Sequence, residues 1–157
     1  MAQLLAVDLG LKTGLAVFGD DGRLVRYRSQ NYGTITRLKR AAWGELAEVE
    51  ALAALAVEGD AALARVWAKA AEKRGAARVF QIQAHDWRPA LLAERDRRTG
   101  ADAKAAADVL ARAIIAQSGL PRPKALRHDA AEAICIGAWA CRELGWDAAL
   151  DDADASR

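Results

Sequence analysis

Cysteine is scarce: Cys135 and Cys141 are the only two in 157 residues. Two thiols near one end of a chain exclude a disulfide framework and a cysteine-based zinc site, and they fit a reducing compartment. Long apolar runs are also missing. No stretch approaches the roughly 18 apolar residues that span a bilayer, so no membrane is expected as a partner. The first residues, MAQLLAVDLG, hold neither a basic leader nor a long apolar segment. That argues against a secretory signal and for a cytoplasmic protein. No segment repeats. Hydrophobic residues nevertheless make up 53% of the chain, enough for one domain with a real core. Alanine supplies much of that share, so close helix packing with few bulky side chains is expected.

The formal charge of +2 is unevenly spread. The tail from Asp147 carries four Asp and one Arg, which leaves residues 1–146 with 22 basic and 17 acidic side chains of the chain's 23 and 21. A basic body permits nucleic-acid binding without establishing it. The expected organisation is one domain over 1–146 and a frayed, solvated acidic tail over 147–157.

Three strands are expected first: Gln3 to Asp8, Gly14 to Gly19, and Arg23 to Ser29 beyond the turn Asp20-Asp21-Gly22. The period then changes. Ile35, Leu38, Ala42, Leu46 and Val49 mark a helix over about 36–49. Leu52 to Glu58 is a short apolar run that periodicity alone leaves between strand and helix. Asp60 suits the N-cap of a helix with Leu63, Val66, Trp67 and Ala70 on one face. A strand over 77–83 follows. A helix over 101–117 is expected to turn Val109, Leu110, Ala113 and Ile114 inward. The last helix, over 129–144, stops at Gly145. Hairpin strands followed by alternating helices and strands indicate an α/β layer fold with a mixed sheet.

Four acidic residues stand at element boundaries beside apolar sequence: Asp8, Glu58, Asp129 and Glu132. Asp8 and Glu58 end strands, and the other two open the last helix on one face. Ligands of layered α/β folds gather at such strand ends and helix starts. Clustered carboxylates repel one another unless cations neutralise them, and hard oxygen ligands suit Mg²⁺ or Mn²⁺. Two such ions about 4 Å apart can clamp a phosphodiester and activate water. Ordinary readings stand beside this one. Asp8 can begin a turn, Glu58 can be an exposed strand end, and Asp129-x-x-Glu132 matches a capping box. Lys104 can be a solvated lysine, His128, next to Asp129, can act near the site or be an ordinary surface histidine, and His85 reads as structural. The five tryptophans, 43, 67, 87, 139 and 146, read as packing residues, although an exposed one can stack on a base. Both cysteines read as small buried residues.

In order along the chain, AVDLGLKTGLAVF, LAVEGD, TGADAK and HDAAEAICIGAWA resemble the RuvC-type Holliday junction resolvases of the ribonuclease H-like superfamily, over nearly all of residues 3–142. The combination carries the likeness: a DxG turn after the first strand, a Glu ending the fourth, Gly-x-x-x-Lys at a helix start, and a final DAAEA helix. The resemblance implies a five-stranded mixed sheet, its first three strands antiparallel, flanked by helices. It implies a catalytic quartet of Asp8, Glu58, Asp129 and Glu132 binding two Mg²⁺ or Mn²⁺ ions. Lys104 would stabilise charge on the scissile phosphate. It further implies a homodimer, whose two-fold symmetry matches a four-way DNA junction nicked on opposed strands. The products would carry 5′-phosphate ends. Arg65, Lys69, Lys73, Arg95, Arg97, Arg98, Arg122, Lys124 and Arg127 are candidate phosphate contacts, which give affinity without sequence information.

The likeness has departures. DLGLKTG is one residue shorter than the usual turn, as in phage or prophage RuvC-like proteins. Glu132 stands where the family has Asp, and GDAALA replaces an aromatic wedge. Two other functions compete: a ribonuclease H-like nuclease of ribosomal RNA maturation, and a non-catalytic junction-binding protein. A sugar or acetate kinase needs two such domains and exceeds this length.

Overall fold

The computed structural model describes residues 1–146; the acidic tail expected over 147–157 lies outside the described residues. Its first three strands, β1 (Gln3–Asp8), β2 (Lys12–Gly19) and β3 (Leu24–Asn31), form an antiparallel meander. β2 begins two residues before the expected Gly14, because Leu9-Gly10-Leu11 turns the chain back at once. The β2–β3 hairpin closes as expected at Asp20-Asp21-Gly22. There Gly22 has a φ of 80°, and Gly19 N–H donates to the Arg23 carbonyl at 2.9 Å. That positive φ is open to glycine without steric penalty.

β4 (Leu52–Glu58) is a strand, which resolves the ambiguity of its apolar run; it pairs parallel with β1. β5 (Arg78–Ile82) pairs parallel with β4, giving a mixed sheet in the order β3-β2-β1-β4-β5. The protein is thus α/β, with a five-stranded mixed sheet flanked by helices.

Alternation along the strands divides the core. Leu5, Val7, Val17, Leu55 and Val57 face α1 (Ile35–Ala47) and α2 (Ala61–Lys73). Thr34 and Asp60 cap these helices through the amides of Arg37 and Leu63. Leu38, Ala42, Leu46 and Val49 are buried as their spacing predicts, whereas Ile35, on the first turn, is 46% exposed. On the opposite face, Leu4, Ala6, Ala16, Phe18, Ala54 and Ala56 meet α3 (Ala84–Leu91), α4 (Gly100–Gln117) and α5 (His128–Leu144).

That second face is lined with small residues, and α5 lies close against it. A Cβ on Gly137 would come 2.1 Å from the Phe18 ring. Close packing also explains a correction to α4. The residues it buries are Ala103, Ala107, Ala111, Ile114 and Ile115, while Val109 is 69% exposed and Ala113 is exposed. Ile114 is buried as expected and Leu110 partly so, but toward the start of the helix the contact takes alanine-sized side chains in place of Val109. α3 has no counterpart in the expected elements. Pro89 lies within it, and it opens at a capping box in which Gln83 and Asp86 satisfy each other's backbone amides.

Candidate active site

Asp8 is the last residue of β1 and Glu58 the last of β4, and the parallel register pairs them directly. Alternation puts both on the face covered by α5, in line with Ala6 and Ala56. On the other side of Asp8 the register continues to Gly14 of β2 and then to Ser29 of β3. One row across four strands therefore reads Glu58, Asp8, Gly14, Ser29. Neighbouring strands stand about 4.8 Å apart, so adjacent members of that row are in reach of one another.

Gly14 is the gap into which α5 fits. A Cβ there would lie 1.8 Å from the Asp129 carbonyl oxygen. The first turn of α5 thus rests on the β2 backbone, and Ser29 Oγ donates to Asp129 Oδ2 at 2.8 Å. Asp129 Oδ1 accepts from the Ala130 amide at 2.8 Å. The helix begins at His128 after the N-cap Arg127, so Asp129 is already inside it and the capping-box reading of Asp129 and Glu132 fails.

Glu132, one turn further along, is 3% exposed. Its Oε1 lies 3.2 Å from Arg88 Nη2 and 3.3 Å from His128 Nε2. Its Oε2 is buried without a hydrogen-bonding partner among the described residues. Glu58 Oε2 accepts from Trp87 Nε1 at 3.3 Å. Trp87 and Arg88 sit side by side on α3, which Gln83 ties to β4 by donating from Nε2 to the Gly59 carbonyl at 3.0 Å. Arg88 is not among the sequence candidates, and Trp87 stands there only as one of five packing tryptophans. The one signal for them was Gln83-x-x-Asp86, a helix start placed just after β5.

The acids feel one another. Burial, followed by the negative charges of Glu58, Glu132 and Asp129, pushes Asp8 up to about 8, with Arg88 opposing. Burial and then Glu132 raise Glu58, against the Trp87 bond and Arg88. Burial raises Glu132 as well, opposed by Arg88 and then Lys104. Burial and the charge of Lys104 lower His128, outweighing Asp129. Its imidazole is therefore largely neutral at pH 7, and Arg88 is the fixed cation in contact with Glu132. Lys104 is exposed on the first turns of α4, where its charge reaches Glu132 and His128.

The structure thus brings Asp8, Glu58, Asp129, Glu132, Lys104 and His128 to one edge of the sheet. The remaining candidates do not all share that edge. His85 is not a structural histidine: its side chain is 80% exposed, 3.6 Å from Asp86. Lys73 ends α2 at the opposite edge of the sheet, 5.6 Å from the Trp43 ring centroid. Trp67 and Trp87 are fully buried and closed to base stacking, whereas Trp43 is half exposed on the α1 side. Arg97 lines an open depression of about 490 Å³ with Gln83, His85, Arg88 and Pro89. Cys135 and Cys141 are both buried, as expected.

Among the described residues, no three His, Cys, Asp or Glu side chains form a ready cage for a metal ion. The reason is visible in the contacts. Trp87 holds Glu58, Ser29 holds Asp129, and Arg88 holds Glu132. The chemistry of the donors still fits a hard divalent cation. All four are carboxylates, burial and then the charges of the other three raise Asp8 to about 8, and one buried oxygen of Glu132 is left over. No protein-family model matches the chain, and no curated protein matches its sequence.

Proposed function

We propose that this chain is a divalent-metal-dependent, structure-selective DNA endonuclease of the RuvC type, with a ribonuclease H-like fold, resolving four-way junctions by paired phosphodiester hydrolysis. One observation carries the reading: four acids from three segments remote in sequence meet at the carboxyl ends of two adjacent parallel strands, where their charges add to the burial that raises Asp8. A protein that only binds DNA gains nothing from concentrated negative charge beside phosphate. The antiparallel first three strands and the small-residue seat of α5 support the same reading.

Asp8, Glu58 and Glu132 are the residues that would hold Mg²⁺ or Mn²⁺, with Asp129 beside them on Ser29. A bound cation would supply a more acidic water and charge stabilisation at the reacting phosphate. The protein's own groups do the remainder. Trp87 fixes one oxygen of Glu58, and Ser29 fixes one of Asp129, so neither acid is free to rotate. Lys104 brings a positive charge to the same edge, suited to the negative charge that builds up on phosphate during displacement. Arg88 and Arg97 line the adjacent depression, where a phosphodiester backbone can approach. A second copy of the chain would supply the second nick, and the exposed Val109 on α4 gives apolar surface for such a contact.

The test is incubation with a labelled four-way junction, a matched duplex and an RNA hairpin, with and without Mg²⁺ or Mn²⁺. Paired symmetric nicks in the junction alone, dependent on metal, are expected. Cleavage of only the RNA replaces this reading with a ribosomal RNA maturation nuclease. Metal-independent binding without nicking makes the protein a junction binder.

A further inference from the structure

The acid cluster already contains a cation of the protein's own. Arg88 projects from α3 against Glu132, Nη2 to Oε1 at 3.2 Å, with its side chain 27% exposed. Its Nε is buried without a partner, beside a Glu132 that is itself 97% buried by its 3% exposure. Its contact is with Glu132, and its charge also opposes the upward shift of Asp8 and Glu58. It cannot easily swing away. Gln83 and Asp86 lock the start of α3, Gln83 fastens the helix to the residue after Glu58, and Arg88 lies 5.6 Å from the Trp87 ring centroid.

The charge balance follows from these neighbours. With all four carboxylates ionised, as metal binding requires, Arg88 and Lys104 leave two negative charges, which one divalent ion neutralises. A second ion would bring two positive charges into a site whose guanidinium already serves one of the acids. Glu132 is divided accordingly: Oε1 is engaged by Arg88, and buried Oε2 is unpartnered. The side-chain length matters here, since glutamate can reach a partner on α3 that a shorter aspartate would approach less closely.

Resting on the metal-nuclease reading above, we infer that Arg88 takes the place of a second divalent ion. The site then loads one Mg²⁺ or Mn²⁺ per chain, and Glu132 is shared between that ion and the guanidinium. Arg88 is a positioning residue, holding Glu132 and setting how many cations the acids accept.

The test counts bound Mn²⁺ on the full chain without DNA, by titration with electron paramagnetic resonance detection of free ion. Wild type and R88K should each bind one Mn²⁺ per chain, and R88Q should bind two. In chelator, R88Q should melt below wild type, because buried Glu132 has lost its cation, and saturating Mn²⁺ should raise its melting temperature more than that of wild type. Two ions on the wild-type chain overturn the inference and leave the nuclease reading standing. So does a single ion on a folded R88Q. No bound Mn²⁺ on wild type overturns both.

Discussion

Removing the charge of Asp8 should make the metal-free protein more stable while ending cleavage. Asp8→Asn is nearly isosteric and cannot ionise. Folding raises the Asp8 carboxyl from 3.8 to about 8, through burial and the charges of Glu58, Glu132 and Asp129. Between those two values the folded chain binds more protons than the unfolded one, so stability is greatest below 3.8 and is lost as pH rises through about 8. Each tenfold change in proton affinity is worth about 1.4 kcal/mol, so the unfavourable contribution of Asp8 at pH 7 is at most about 4 kcal/mol. The solvent-facing part of the carboxyl screens this to about 2 kcal/mol. For a domain of this size that corresponds to a rise of roughly 6 °C in melting temperature. The assay is thermal melting in chelator, followed by circular dichroism, from pH 5 to pH 9. The gap between variant and wild type should open as pH rises and close toward pH 5. Parallel profiles across that range, or an Asp8→Asn protein that melts lower at pH 8, would refute the placement of Asp8 among the other acids. Retained junction cleavage by the same variant would remove it from the chemistry.

Three further outcomes are expected. Gly14→Ala should push the start of α5 off β2, since the new methyl would meet the Asp129 carbonyl at 1.8 Å; a loss of about 3 kcal/mol in urea unfolding is expected, together with loss of cutting. Ser29→Ala should leave the fold within about 1 kcal/mol of wild type, because one partly buried hydrogen bond is lost, yet slow junction cleavage about tenfold by freeing Asp129; an unchanged single-turnover rate would count against a role for Asp129. At Mg²⁺ well below saturation, cleavage should climb with pH up to about 8 and then level off, because Asp8 must lose its proton to bind metal. Rates independent of pH between 6.5 and 8.5 would contradict this.

Much of the scaffold was legible because it is written in local signals. The Asp20-Asp21-Gly22 turn, the Asp60 cap and Gly145 all work through their own backbone and a few neighbours. The acids were legible as boundary residues, each at the end of an apolar run. Their partners were not. Trp87 and Arg88 reach Glu58 and Glu132 across 29 and 44 residues of chain, from a helix that holds a proline. No periodicity marks such a contact. Asp129-x-x-Glu132 shows the opposite failure, a local motif overruled by packing: the helix starts one residue early, so the pair faces β2 and α3 instead of capping its own amides. The inward face of α4 is legible at Ile114 and not at Val109 for a similar reason. Hydrophobicity ranks Val109 above Ala107, but the narrow space beside α5 admits only the smaller side chain.

The seat of α5 on Gly14 has a bearing on how such a site can drift over generations. Two donors ride on strands and two on a helix, and main-chain contact, with no adjustable side chain between, fixes how far apart these platforms stand. Gly137 makes a second close approach, to the Phe18 ring, further along the same helix. At position 14 any side chain meets the Asp129 carbonyl, so the distance between the strand acids and the helix acids is set by backbone against backbone.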